Sequence, residues 1–307
     1  MPHDHDHDHH DHHHHAPQNF GRAFAIGIGL NTAFVAVEAV YGVLGHSVAL
    51  LADAGHNLSD VLGLVAAWVA SALVVRPPSP RYSYGLRGAS ILAALFNAVL
   101  LLVAVGGISW EAIRRFAEPA PVEGGVVMAV AAVGIVINGV TAWLFASGRD
   151  SDINLRAAFL HMAGDALIAA GVVVAGAIIA LTGWLWLDPL VSLAINAVIV
   201  WGTWGLLRDS LAMSMAAAPA HIDPVKVRAF LTAQPGVASI HDLHIWPMST
   251  TEIALTCHIV MPAGHPGDGF LHELAEELGE HFGIWHPTVQ IEVDAVGVCA
   301  LAPDEVV

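Results

Sequence analysis

The sequence predicts a polytopic α-helical membrane protein with six transmembrane helices, followed by a small C-terminal α+β domain. Two observations carry that prediction. The chain has 307 residues of which 56% are hydrophobic and only 12% charged, with a mean hydropathy of +0.64, against roughly a quarter charged in an average soluble domain. The apolar residues are also gathered into six runs that stop near residue 209, each long enough for the ~20 helical residues that cross a ~30 Å hydrocarbon core.

The runs cover about 20–44, 48–75, 88–112, 124–147, 155–181 and 184–207, with short linkers such as the Pro-rich RPPSPRYSYG from Arg76 to Gly85 and the polar SGRDSD from Ser147 to Asp152. Six spans place both termini on one side. Orientation follows from the basic residues, because cytoplasmic loops hold the excess of Lys and Arg. With the N-terminus inside, Arg22, Arg76, Arg81, Arg87, Arg149, Arg156 and Arg208 are cytoplasmic and only Arg114 and Arg115 are outside. Both termini are therefore expected in the cytoplasm, with the chain embedded in membrane lipid. The formal charge is −16, but the acids concentrate in the first eleven residues and beyond residue 220, so the membrane part is nearly neutral. Such acidity argues against a nucleic-acid partner.

Residues 1–19 form a His/Asp-rich tail, with nine His and four Asp between residues 3 and 15. That composition cannot fold alone but can hold Zn²⁺, Co²⁺ or Ni²⁺ loosely. It lacks the basic, then apolar, then small-residue order of a secretory signal. The membrane domain is assigned to residues 20–208 and the last domain to 209–307. In that domain Asp223-Pro224 reads as an N-cap followed by Pro at the first helical position, and Pro235-Gly236 ends the helix. A strand is expected near Val237 to Trp246. Another runs from Glu252 to Met261, where Ile253, Leu255, Cys257, Ile259 and Met261 alternate with more polar neighbours. A helix from about Asp268 to Phe282 and a strand from Thr288 to Asp294 complete an αββαβ order, which suits a ferredoxin-like domain. Cys257 and Cys299 have no ligand or disulfide spacing and are read as reduced and structural.

An ionisable residue inside a span costs at least ~2.5 kcal/mol on the insertion scale, so each is a functional candidate. The spans hold Glu38, Asp53, His56, Asp60, His161 and Asp165. His56 with Asp60, and His161 with Asp165, are spaced i, i+4, which places each pair on one helix face about 6 Å apart. At ~1.5 Å of rise per residue, His56 and Asp60 lie ~12 and ~18 Å below the outer surface, and His161 and Asp165 lie ~9 to 15 Å above the inner one. The two pairs thus share a level. Two imidazoles and two carboxylates suit tetrahedral Zn²⁺, whereas Mg²⁺, Ca²⁺ and Mn²⁺ favour all-oxygen sets. Cobalt, cadmium and nickel stay open as ions. Asn31, Asn97, Asn138, Asn196 and Glu38 read as interhelical hydrogen bonders. Asp53, three residues before His56, is a candidate for orienting that imidazole.

The stretches GHSVALLADAGHNLSD, RPPSPRYSYG, LHMAGDAL, LDPLVSL, HDLHIW and LTCHIVM resemble the cation diffusion facilitator family of metal/proton antiporters over nearly all of the chain outside its tail. The resemblance implies efflux of Zn²⁺ in exchange for H⁺ across the cell inner or plasma membrane, by a homodimer whose cytoplasmic domains pair and bind further zinc. His56, Asp60, His161 and Asp165 match the family's transport-site positions. His241, His258, His272, Glu292 and Asp294 resemble the regulatory metal positions of the soluble domain, while His244 and His286 fit either a ligand or a structural role. The Arg76–Gly85 loop holds neither acid nor His, so the further metal site that some members carry there is expected to be absent. No phosphate loop and no His-Glu-x-x-His occurs, so an enzyme is not expected; a membrane metal sensor or store that does not transport is the alternative.

Overall fold

The computed structural model describes residues 21–74, 76–146, 153–293, 299 and 301. The His/Asp tail, the SGRDSD linker and Asp294 lie outside the described residues, as does the side chain of His161. Six long helices come first: α1 (Gly21–Leu44), α2 (Val48–Val74), α3 (Ala89–Ala117), α4 (Gly124–Ala146), α5 (Ile153–Thr182) and α6 (Leu187–Ser214). Their sequences are rich in Ala, Leu and Val. Pro77 and Pro78 follow α2 and cannot continue it. Among the described residues, Ala89–Ala117, Gly124–Trp143, Met162–Thr182 and Leu187–Ser214 are long and apolar enough to cross a membrane, and Gly29–Leu44 is a shorter apolar helix. The last helix continues to Ser214, beyond the boundary expected at 208.

Helix α2 packs against α1, α3 and α6 and also touches α5, so it occupies the middle of the bundle. Helices α4 and α5 meet at two glycines. A Cβ on Gly124 would stand 2.6 Å from the carbonyl oxygen of Gly176, and one on Gly176 would stand 3.1 Å from that of Gly124. Small residues here let the backbones approach, which is how helices associate where there is no hydrophobic drive between them. Polar side chains tie other pairs: Asn196 donates to Ser109 Oγ at 2.9 Å, and Asn57 donates to Glu38 Oε2 at 2.9 Å. Asn196 and Glu38 thus make the interhelical bonds the sequence suggests.

One carboxylate fastens an entire end of the bundle. Asp188, 1% exposed, accepts from the Ser47 hydroxyl, from Val48 N at 2.8 Å and from Ala49 N at 3.4 Å. It thereby caps α2 from the first turn of α6, satisfying N–H groups that a helix start leaves open. Arg115, in the last turn of α3, reaches within 3.9 Å of it and donates to the carbonyl of His46 between α1 and α2.

The soluble domain contains α7 (Pro224–Thr232), β1 (Ser239–Pro247), β2 (Ile253–Val260), α8 (Asp268–Phe282) and β3 (His286–Glu292). Asp223 caps α7 by accepting from Val225 N at 3.0 Å, and Gly283, with φ of 71°, closes α8 in a left-handed conformation that glycine adopts without cost. The small sheet has the order β1-β2-β3; β1 and β2 are antiparallel, β2 and β3 parallel. Ile253, Leu255, Cys257 and Ile259 face Val227 and Leu231 of α7 and Leu274 and Leu278 of α8 in one core. The helices therefore cover one sheet face, and the alternate residues, including His258, look out from the other.

Among the described residues, three contacts join this domain to the start of α3 and the turn before it. Arg87 pairs with Glu252, Thr250 N donates to Ser90 Oγ at 3.1 Å, and the Tyr84 ring stands edge-on to His286 with centroids 5.6 Å apart.

Asp188→Ala leaves the start of α2 uncapped and Arg115 without its carboxylate, which should cost about 1–3 kcal/mol. Unfolding of the detergent-solubilised protein is expected at a lower temperature than wild type, with Asp188→Asn falling between them; an unchanged transition would remove this carboxylate from the stabilising role.

Candidate metal centres

The bundle brings His56, Asp60 and Asp165 together. His56 and Asp60 follow one another by a turn on α2, and Asp165 projects from α5, so His56 Nε2 lies 3.0 Å from Asp165 Oδ1 and 4.0 Å from Asp60 Oδ2. One donor atom from each of the three lies within 4.8 Å of the others. Zinc–ligand bonds are ~2.0–2.2 Å long for N and O donors, so an ion placed among these atoms needs only small side-chain adjustments. The side chains of His56, Asp60 and Asp165 are 18%, 32% and 3% exposed. Asp165 is therefore the enclosed end of the site and Asp60 its open end. Asp53 is buried one turn before His56, and Glu38 of α1 is buried beside Asn57. His161 occupies a position one turn before Asp165 on α5.

A second cluster lies on the open face of the sheet. His241 and His258 are direct cross-strand partners on β1 and β2, their rings 5.0 Å apart and T-shaped. Glu292 at the end of β3 places Oε1 3.0 Å from His258 Nδ1 and 3.4 Å from His241 Nε2. Together with Cys299, one donor atom from each of these residues lies within 4.8 Å of the rest. Of the residues carried over from the resemblance, His241, His258 and Glu292 are assembled, and Asp294 lies outside the described residues. His272 does not join them: it is exposed on α8, in the helical layer on the opposite side of the sheet.

The local backbone explains the convergence. The register of β1 against β2 shifts between His241 and His244, and Asp242 in this bulge has φ of 52°. Bulges re-aim side chains, and Asp tolerates the left-handed region better than most residues. Here the turned-in Asp242 carboxylate stands 3.5 Å from His258 Nε2 and 2.7 Å from His244 Nε2. A carboxylate behind one ring nitrogen fixes the tautomer that leaves the other free to ligate. His244 thus braces Asp242, and His286 packs on Tyr84; neither belongs to the cluster.

Sequence reasoning missed two participants. Asp242 gave a usable signal, a carboxylate inside His-Asp-Leu-His. Cys299 gave none, because nothing between it and β3 announces a return to the sheet. The structural reading is right for Cys257, 1% exposed in the core, where burial pushes its thiol up to about 12. Cys299 is placed differently: it is half-buried with Sγ 3.6 Å from His258 Nδ1.

Both parts of the chain match known protein families. Residues 24–213 match the cation efflux transmembrane domain, and residues 219–294 match the cytoplasmic domain of cation efflux proteins. The chain belongs to the cation efflux family, the cation diffusion facilitators. It is 36% identical to the zinc transporter ZitB of Escherichia coli over 276 residues, 89% of this chain and 88% of that protein. It is 34% identical to the cadmium, cobalt and zinc/H(+)-K(+) antiporter of Bacillus subtilis over 269 residues, 86% of each. Over 23% of this chain and 99% of the other, it is also similar to the metal-bound C-terminal domain of the CzcD transporter from Cupriavidus metallidurans, at 40% identity and a TM-score of 0.22. The family is one of cation efflux transporters, and its apolar helices make the chain a multi-pass membrane protein.

The Asp242 carboxylate can be removed without disturbing the bulge, because Gly adopts positive φ freely. Asp242→Gly is expected to weaken zinc binding at the sheet cluster about 10–100-fold, read as the loss of one class of sites from a zinc titration of the full chain. Unaltered titration would show that Asp242 does not orient His258.

Proposed function

We propose that this protein is a secondary exporter that carries Zn²⁺ out of the cytoplasm in exchange for H⁺, with Cd²⁺, Co²⁺ and Ni²⁺ as further substrates. The single observation that supports it best is the approach of His56 Nε2 to Asp165 Oδ1 at 3.0 Å, from two different helices of an apolar bundle. In this reading six helices span the plasma or inner membrane, both termini are cytoplasmic, and His161 completes an N₂O₂ set with His56, Asp60 and Asp165. The names of the relatives, a zinc transporter and a cadmium, cobalt and zinc/H(+)-K(+) antiporter, support the substrate class and the exchange.

The chemistry of the site supplies the exchange. A neutral imidazole offers a lone pair to the metal, and a protonated one has none, so Zn²⁺ and H⁺ compete for the same nitrogen. Zinc enters from the cytoplasm and displaces the proton from His56. After the site turns outward, reprotonation of the imidazole weakens the metal's hold and the ion leaves. The protonated His56 pairs with Asp165 on the return, so the carboxylate is never left alone in the apolar interior. An inward proton gradient then drives export without ATP.

The regulatory centre of the same reading is the cluster of His241, His258 and Glu292; His272 and Asp294 are not needed for it. Two copies of the chain pair through their cytoplasmic domains, assigned to residues 209–307.

Everted vesicles holding the reconstituted protein and a zinc indicator should take up Zn²⁺ faster under an imposed pH gradient, acid inside. Asp60→Ala and Asp165→Ala are each expected to reduce flux to background while leaving a folded dimer. Zinc binding without flux in the wild-type protein would favour a membrane-bound sensor or store instead. Binding at the transport site should also weaken as pH falls, because a protonated imidazole has no lone pair for the metal. Equilibrium zinc binding between mildly acid and mildly alkaline pH tests this, and a pH-independent affinity would exclude imidazole ligation.

A further inference from the structure

We propose that Glu38 and Asp53 form a proton-binding pair: their carboxyl groups share one proton in the metal-free protein and give it up when a divalent cation fills the site of His56, Asp60 and Asp165. The sharing of the proton stands on the geometry of the pair alone, whereas its release rests on the transport-site reading.

Two helices bring the pair together. Glu38 on α1 is fully buried, and Asp53 on α2 is 1% exposed. Asn57, one turn after Asp53 on the same face of α2, donates to Glu38 Oε2 at 2.9 Å, and the Glu38 and Asp53 carboxyl groups meet within hydrogen-bonding reach. Among the described residues, nothing donates to Glu38 Oε1 or to either oxygen of Asp53. Four oxygens of two buried acids thus have one amide between them. An ionised carboxylate only accepts, so two in contact repel and have no bond to make. One proton changes this, because the protonated group donates to the other and a single negative charge remains in the interior.

The charges around the pair decide when that proton leaves. Asp165 of α5 lies close enough to act on both acids, and His56 on Asp53; Asp60 is two turns beyond Asp53 on α2. Helix α4 carries no titratable side chain. Glu111, Arg114 and Arg115 of α3 and Asp188 of α6 engage one another at the end of the bundle, and Arg208 and Asp209 pair at the other end of α6. With the site empty, the Asp165 carboxylate disfavours a second negative charge on the pair and so holds the proton there. A dication at His56, one helical turn or ~6 Å from Asp53, reverses the local field and favours two carboxylates. Release breaks one O–H bond, leaves both groups ionised and sends the proton to solvent. Metal and this proton therefore compete without sharing a ligand atom, which adds a second proton to the one displaced from imidazole.

Infrared spectroscopy of the reconstituted full chain reads such a proton directly, because the C=O stretch of a protonated carboxyl group is separate from the carboxylate and amide bands. The metal-free wild type should show this band, and saturating Zn²⁺ should abolish it. The band should be missing from Glu38→Gln/Asp53→Asn, which keeps the shape of both side chains, and unchanged amide bands in the same spectra report that the variant is folded. Zinc binding in weak buffer should release about one proton more per transport site from wild type than from the variant. Absence of a zinc-sensitive carboxyl band from the wild type overturns the proposal whatever the variant does, as does a band that survives in the variant. Asp165→Ala separates this outcome from failure of the transport-site reading. If Asp165→Ala binds zinc as the wild type does, the transport-site reading falls; if it loses a class of zinc sites while the wild-type carboxyl band persists in zinc, the metal site stands and the proton exchange falls.

Discussion

A carboxylate surrounded by apolar helices must have a cation, a proton or several hydrogen-bond donors beside it, because burying it bare costs far more than a fold can supply. Three buried carboxylates of this bundle have chemically distinct partners. Asp188 receives a hydroxyl, two backbone N–H groups and a nearby guanidinium. Glu38 receives an amide. Asp165 has an imidazole at 3.0 Å. The first two arrangements use partners whose donors are permanent at neutral pH, so they hold helices together. Imidazole differs because it can exchange its proton for a metal ion close to neutrality. The same electrostatic demand is thus met by hydroxyl, amide and guanidinium donors at one carboxylate and by an imidazole at another.

The positions of the helices were legible because they depend on local quantities. Long apolar runs fix α1 to α6, and the Pro-rich segment after α2 ends it whatever the tertiary context. In the soluble domain, Asp223-Pro224 and the alternation from Ile253 to Ile259 set α7 and β2 in the same local way. Spacing also placed His56 beside Asp60. Depth counted from opposite membrane faces put Asp165 at their level, and the structure brings its carboxylate to 3.0 Å from His56 Nε2.

The parts that were not legible depend on long-range return of the chain. Asp188 caps a helix that begins 140 residues earlier, and nothing near it in sequence identifies that helix. Asp242 reaches His258 only because a bulge rotates it inward. Cys299 lies 41 residues from His258 and beyond the last strand, where period and propensity no longer constrain the path. His272 is a different case. Its residue type suits a ligand, but its helix covers the sheet face opposite the cluster, and sequence spacing carries no information on that layer order.

The link between the two centres has a character of its own. The turn between β1 and β2 holds Thr250 and Glu252, which contact Ser90 and Arg87 at the start of α3, and α3 packs along α2, the helix that carries His56. Spatial continuity alone is not coupling; coupling requires an element with two arrangements that both sites bias. The Arg87–Glu252 pair is suited to such an element because its side chains are each 37% exposed. Ion pairs at that exposure contribute about 0–1 kcal/mol, a load that a change in sheet geometry is able to break. A buried bridge here would have fixed the domain rigidly to the bundle. A half-exposed one adds little to what holds the cytoplasmic domain against α3.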